Sequence, residues 1–477
     1  MNKTLLALAL TCLVCLPLSA EQDTLAYFYE PKLEHKQQLL ADRIVTHARN
    51  AEFNYALTLS QTLLEQAEPL RESQINTFGQ ILVNHGIIQS AAEDYDLGLS
   101  AIERGLSLME QGNNPFSTVL ISAVMAKALT EFSLEMTTEA QDSFRRAQHI
   151  MHRNEGVYAA DQIAIVDWLT KLNLKQGNLA AADREQRFGL RVAEQVYGPD
   201  STELLPILNH LGGYFASRGS NAPSVAQTEF RLQRDLLFKY SVDMYYRSVR
   251  IIEQNFGEND LRLVQPLRGL ASARMLQFTN RKEAEAALER SLEIVQSNPD
   301  SDTTDRAQAL VDLGDLYIIT SDQRASETYL RAWDLLQESP ETQAVAVALF
   351  GAPVRLFPRS NPVFYLSRYP DAAEKGEPLF VSLEYSVTSD GKVSQVKILE
   401  RNVPNEHVKS LRLRIRGARY RPRIIDAEII ATEGLMLYQP FQVLAKETSS
   451  PAPEPVADLE EPIEEPIEGP TDVPTEQ

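Results

Sequence analysis

Between Glu21 and about Phe350 the chain repeats one arrangement of small and bulky residues on a helical period. A triplet at offsets 0, +4 and +7 reads Ala56/Ser60/Leu63, Gly98/Ile102/Gly105, Ala140/Phe144/Ala147 and Ala182/Gln186/Gly189. It continues as Ser241/Tyr245/Ser248, Ala284/Leu288/Ser291 and Ala325/Tyr329/Ala332. The first positions are spaced by 42, 42, 42, 59, 43 and 41 residues, the 59 being one repeat plus an insertion near Arg218 to Tyr240. Offsets of 4 and 7 share one face of an α-helix. Small residues there let a second helix approach closely, and the bulky one fills the gap. A single helical hairpin of this kind cannot bury its apolar face, so stacking is predicted: an all-α array of about seven hairpins over residues 21–350.

The period changes after Phe350. Gly351, Pro353, Pro358 and Pro362 break the helical run. Phe380, Ser382, Glu384 and Ser386 then alternate with Val381, Leu383, Tyr385 and Val387, the pattern of a half-buried strand. Thr388-Ser389-Asp390-Gly391 reads as a hairpin turn and Val393–Leu399 as the returning strand. Asn405–Gly417 reads as a helix, Tyr420-Arg421-Pro422 opens a third extended run, and Glu428–Val443 contains a longer strand. The chain is thus predicted to be an α+β multidomain protein. A helical solenoid (21–350) precedes a small ββαβ domain (352–446).

Two resemblances follow. Leu313-Gly314-Asp315-Leu316-Tyr317, with Ala325, Tyr329, Ala332 and Pro340 after it, resembles a tetratricopeptide repeat, and the longer period resembles the 42-residue variant of kinesin light chains. Glu194-Gln195-Val196-Tyr197-Gly198 and Glu253-Gln254-Asn255-Phe256-Gly257 match 59 residues apart, as do Leu204, Leu208 and Leu211 with Leu263, Leu267 and Leu270. In the second domain, Tyr369-Pro370, Gly376, Asp390-Gly391-x-Val393, a helix and Arg419-Tyr420-Arg421-Pro422 resemble the C-terminal domain of TonB-type energy transducers. That resemblance implies a periplasmic domain that accepts a short extended box from outer-membrane receptors by β-augmentation. It makes the strand from Leu435 to Val443, through Leu437, Gln439 and Phe441, the receiving edge. The family's anchor helix with its histidine has no counterpart in residues 1–20.

Met1-Asn2-Lys3, the apolar run Thr4–Leu18 and Leu18-Ser19-Ala20 have the layout of a cleavable export signal (1–20). Fifteen apolar residues reach only ~22 Å, short of a ~30 Å hydrocarbon core. The only two cysteines, Cys12 and Cys15, lie inside this segment, so the remainder has no disulfide framework or thiol chemistry. The expected location is the periplasm. Net charge is −20, which argues against nucleic acid as a partner. That charge is unevenly spread. Residues 447–477 hold ten acids and no base in a Pro/Glu-rich tail expected to be disordered. Residues 352–446 hold 15 Lys and Arg against 10 Asp and Glu, concentrated at Arg412, Arg414, Arg416, Arg419, Arg421 and Arg423. These arginines read either as a patch for an anionic partner such as peptidoglycan or as a solvated face.

No nucleophile, phosphate-loop or metalloprotease motif is present, and His149 and His152 lack an evident third ligand. No catalytic residue, cofactor or metal is therefore expected. The leading reading is a non-enzymatic scaffold whose array groove holds a protein partner and whose second domain contacts receptors or other TonB-system components. A membrane-anchored transducer and a peptidoglycan-binding envelope protein are the alternatives.

Overall fold

The computed structural model describes residues 24–221, 228–277, 280–358, 364–366 and 378–443. Residues 1–20, expected from sequence to be an export signal, and the acidic tail 447–477 lie outside the described residues. Two compact units divide between Ala352 and Pro353, with Ile424–Ile429 grouping with the first.

The first unit is a helical-repeat array. Its hairpins are α1 (His35–Arg49) with α2 (Phe53–Ala67), α3 (Ile75–Ala91) with α4 (Tyr95–Gly112), and α5 (Ile121–Ser133) with α6 (Thr137–Glu155). Next come α7 (Gln162–Lys175) with α8 (Leu179–Tyr197), and α9 (Leu205–Asn221) with α10 (Thr228–Phe256). The last two are α11 (Val264–Gln277) with α12 (Arg281–Ser297), and α13 (Thr303–Thr320) with α14 (Arg324–Leu335); α15 (Pro340–Phe350) packs on α13. Every triplet falls on the second helix of its hairpin, and all of its positions are buried. Gly86 and Gly98 show why small residues are required. A Cβ on Gly86 would stand 2.6 Å from the Gly98 carbonyl oxygen, and one on Gly98 would stand 2.3 Å from Ser90 Oγ.

The turns inside the hairpins keep the same register. Ala51, Glu93, Glu135 and Gly177, each 42 residues from the last, have φ of 59°, 66°, 62° and 76°. A single left-handed residue reverses the chain at the same place in each repeat. The matched Glu-Gln-x-x-Gly stretches also acquire a role. Gly198 and Gly257 end their helices at φ 93° and 97°. Glu194 pairs with Arg247, and Glu253 with Arg290 at 2.7 Å, each on the next second helix. The insertion forms no separate element among the described residues. It lengthens α10 to 29 residues, starting well before the triplet at Ser241.

A buried histidine links the first two hairpins. His85 on α3 is 7% exposed, and its Nδ1 lies 2.7 Å from Ser60 Oγ on α2. The Ser60 oxygen also lies 3.0 Å from the Leu57 carbonyl oxygen, so it ties the ring to the backbone of α2. Burial pulls the ring's pKa down to about 4. A folded pKa below the unfolded one means that the neutral ring's contribution is complete above about pH 6.5 and is lost as pH falls toward 4. Urea unfolding over that range is expected to show a loss of about 3 kcal/mol, and His85→Gln to flatten it.

In the second unit, β3 (Leu379–Val387) and β4 (Val393–Arg401) form an antiparallel hairpin, α16 (Asn405–Arg416) follows, and β8 (Thr432–Val443) returns antiparallel beside β3. The turn is closed by Gly391 at φ 73°, with Thr388 N–H donating to the Lys392 carbonyl at 2.9 Å. The sheet order is β2-β8-β3-β4, where β2 (Phe364–Leu366) runs parallel to Phe441–Val443. Val381, Leu383, Tyr385 and Val387 face Val408, Leu411 and Ile415 of α16 in one core.

The structure adds strands that the sequence pattern did not resolve. β1 (Val354–Phe357) pairs antiparallel with β5 (Arg419–Arg421), matching Arg355 with Tyr420. Pro353 and Pro358 only flank β1, so its four residues keep their ladder donors. A short hairpin of β6 (Arg423–Ile425) and β7 (Glu428–Ile430) precedes β8.

Candidate functional site

The strand proposed from sequence as a receiving edge is β8. On the side away from β3, Phe441–Val443 is already paired with β2, so among the described residues the open stretch is Thr432–Pro440. The open edge is therefore displaced three residues toward the N-terminal end of β8 relative to the Leu435–Val443 that the resemblance implies, because β2 covers Phe441–Val443.

Side-chain direction also differs from what that list of residues suggests. Gln439 and Phe441 are buried at 4% and 5% exposure, while Leu435 and Leu437 pack on the α16 core. The side chain of Val443 lies outside the described residues, and its backbone pairs with Leu366. Alternation puts Met436 (61% exposed) and Tyr438 (56%) on the opposite face. There Tyr438 stacks on Phe380 of β3, centroids 4.9 Å apart and planes at 23°. Any strand added along Thr432–Pro440 would use the β8 backbone, with Met436, Tyr438 and Phe380 as the apolar surface beside it. None of these three residues is marked as a contact surface by the sequence pattern. Leu435 through Tyr438 is apolar at both phases of the alternation, so the pattern alone does not say which phase is outside.

The arginines do not converge on one patch. Arg412 and Arg414 are two positions apart on α16, about 200° around the helix. Arg412, with Arg401, Lys409 and Asn405, lines a hollow of about 240 Å³ between β4 and α16. Arg414 faces β1, where burial and then the Arg355 guanidinium hold its pKa below the usual arginine range. Arg416 is exposed at the end of α16. Arg419 donates through Nη1 to the carbonyls of Gly417 and Ala418 at 3.4 and 3.1 Å. Arg421 is buried at 7% exposure, and Arg423 is half-buried on β6. The ion pair described in this unit joins Lys392 to Asp390, and His407 Nε2 lies 3.5 Å from Glu406 Oε1. Among the described residues, no carboxylate pairs with Arg412, Arg414, Arg416, Arg419 or Arg423, which leaves a positive helix and strand surface.

In the array, His152 Nε2 lies 2.6 Å from Gln162 Oε1, and His149 packs edge-on against Phe116. Among the described residues, no group of His, Cys, Asp and Glu is arranged to hold a metal, and no helix is long and apolar enough to cross a membrane.

No family model matches the chain, and no curated protein matches it. Among solved structures, BtubC (BKLC) from P. vanneervenii is similar at 14% identity over 66% of this chain and 97% of that one, with a TM-score of 0.25. The apo form of RapI is similar at 12% identity over 65% and 79%, with a TM-score of 0.36. The apo form of the quorum sensor NprR from B. thuringiensis is similar at 10% identity over 64% and 89%, with a TM-score of 0.30. At such scores the function of this chain has to be read from its own residues.

Proposed function

We propose that the protein is a non-enzymatic periplasmic adaptor, whose helical-repeat array holds a protein partner and whose TonB-like domain receives an extended strand from outer-membrane receptors. The observation that carries this reading is the open side of β8 at Thr432–Pro440. The order strand, turn, strand, helix, strand, with the last strand beside the first, supports the family resemblance. Strand addition takes its affinity from main-chain hydrogen bonds and its selectivity from alternate side chains. Here those would meet Met436, Tyr438 and Phe380. The export signal supports the periplasmic location, and stacked hairpins supply extended surfaces for protein partners. The hollow lined by Arg401, Lys409 and Arg412 supports a second reading, contact with the carboxylates of peptidoglycan.

The test is a photo-reactive phenylalanine in place of Tyr438 in the full chain, irradiated in cells. A cross-link to the N-terminal extended box of an outer-membrane receptor is expected. Cross-links confined to peptidoglycan would reject the adaptor reading in favour of the second.

A further inference from the structure

The segment before α1 lies in the cleft between the first helices of the second and third hairpins, α3 and α5. Leu25–Tyr27 makes one 3-10 turn, and Phe28 continues in extended conformation at φ −61° and ψ 136°. The Asn84 side chain on α3 binds both main-chain groups of Tyr29: the Tyr29 N–H donates to Oδ1 at 2.8 Å, and Nδ2 donates to the Tyr29 carbonyl at 2.9 Å. One primary amide thus does what a neighbouring strand would do, without reading the side chain. The Tyr29 hydroxyl donates to the Val119 carbonyl at 2.6 Å and accepts from Ala123 N–H at 2.9 Å. Ala123 lies in the first turn of α5, where N–H groups have no partner within the helix. Leu25, Tyr27, Phe28 and Tyr29 pack partly buried against the core of the second to fourth hairpins, and Pro31 is buried.

We infer that the α3–α5 cleft is a peptide-binding site for an extended segment bearing a tyrosine preceded by apolar residues, and that Thr24–Pro31 is its resident internal ligand. Three features separate a seated ligand from a fixed element. The backbone of Tyr29 is held by a side-chain amide rather than by strand pairing. Leu25, Tyr27, Phe28 and Tyr29 are only partly buried and Ala26 and Glu30 are exposed, full burial being confined to Thr24 and Pro31 at the two ends. Lys32 is exposed and lies ahead of Leu33, which packs on the core of the first two hairpins, and of Glu34, whose carbonyl accepts from Gln38 N–H at 2.8 Å, so the segment can leave at Lys32 with α1 still capped. A tethered segment competes at an effective concentration on the order of millimolar, so a partner of the same chemistry displaces it only if it binds more tightly or is locally concentrated. This inference deepens the adaptor reading by naming the chemistry of the array's partner.

The test uses the full chain and a fluorescent peptide with the sequence of residues 24–32. Three proteins are compared: wild type, Phe28→Ala/Tyr29→Ala to release the resident segment, and the released variant carrying Asn84→Ala as well. The peptide is expected to bind the released variant at least tenfold more tightly than wild type, and Asn84→Ala to remove that gain. Equal weak binding to all three, with helical circular dichroism retained, would overturn the inference. So would a released variant that loses its helical signal, because the segment would then be structural. Hydrogen exchange on wild type gives an independent check. The Tyr29 amide is expected to exchange faster than the α3 amides through local opening, and equal protection would overturn the inference. The probe addresses the array alone, so its failure leaves the β8 edge untouched, and failure at β8 leaves this result standing.

Discussion

Asp183→Ala is expected to destabilise the array by about 3–5 kcal/mol, the cost of stranding a buried charge by removing its partner. Asp183 on α8 and Arg218 on α9 are 7% and 8% exposed. Arg218 Nε and Nη2 donate to the two carboxylate oxygens at 3.0 and 3.1 Å, and the Tyr214 hydroxyl donates to Oδ1 at 2.7 Å. Burial, and then Asp183, push the Tyr214 phenol up, so it stays a donor throughout the accessible pH range. Alanine at 183 leaves the guanidinium and the phenol without their acceptor. Because the pair joins the fourth hairpin to the fifth, and a repeat array is stabilised by nearest-neighbour interfaces, the loss falls on one junction. Thermal unfolding followed by circular dichroism should separate into two transitions, one on each side of the α8–α9 junction. The triple replacement Asp183→Leu/Tyr214→Phe/Arg218→Met removes both charges and the hydroxyl bonded to them and is expected to cost about 1 kcal/mol or less, since apolar groups often replace buried ion pairs without loss.

The same substitution at equivalent repeat positions should act with opposite sign at Gly105 and Gly189. Both are the third member of a triplet, 84 residues apart. A Cβ at Gly105 would stand 2.7 Å from the Gly79 carbonyl oxygen, 2.7 Å from Val83 Cγ2 and 2.9 Å from Val83 N. Two of those atoms are backbone of α3 and cannot move without shifting the helix. At Gly189 the nearest atom is Val166 Cγ1 at 3.1 Å, beside a cavity of about 140 Å³ that both residues line. Overpacking should make Gly105→Ala a net loss of about 2 kcal/mol despite alanine's higher helix propensity. Gly189→Ala keeps the propensity gain and is expected to stabilise by about 0.5–1 kcal/mol. Urea midpoints of the two variants against wild type measure this directly.

The array was legible in the sequence because its constraint is periodic. Close helix approach allows only small residues at fixed offsets, so Gly98, Gly105, Ala140 and Ala147 mark the interface without reference to any partner. The hairpin Leu379–Arg401 was legible for the same reason, with period two replacing 3.6 and Asp390-Gly391 marking the turn. What was not legible depends on contacts distant in the chain. Arg412 and Arg414 look like one basic run, but helical rotation sends them to β4 and β1 respectively. β1 is hidden between prolines, and its partner β5 lies more than sixty residues away. Asn84 was visible only as one of two adjacent polar residues, with His85, in the apolar run Ile81–Ile88. Nothing local indicates that it holds the backbone of Tyr29.

The central claim is that β8 receives a partner strand along its open side. Hydrogen exchange of the full chain, with and without a peptide spanning the N-terminal box of an outer-membrane receptor, tests it residue by residue. Added protection is expected at amides within Thr432–Gln439 and none along β4, the other edge of the sheet. Unchanged exchange in Thr432–Gln439 at saturating peptide, or protection that appears along Val393–Arg401 instead, would contradict it.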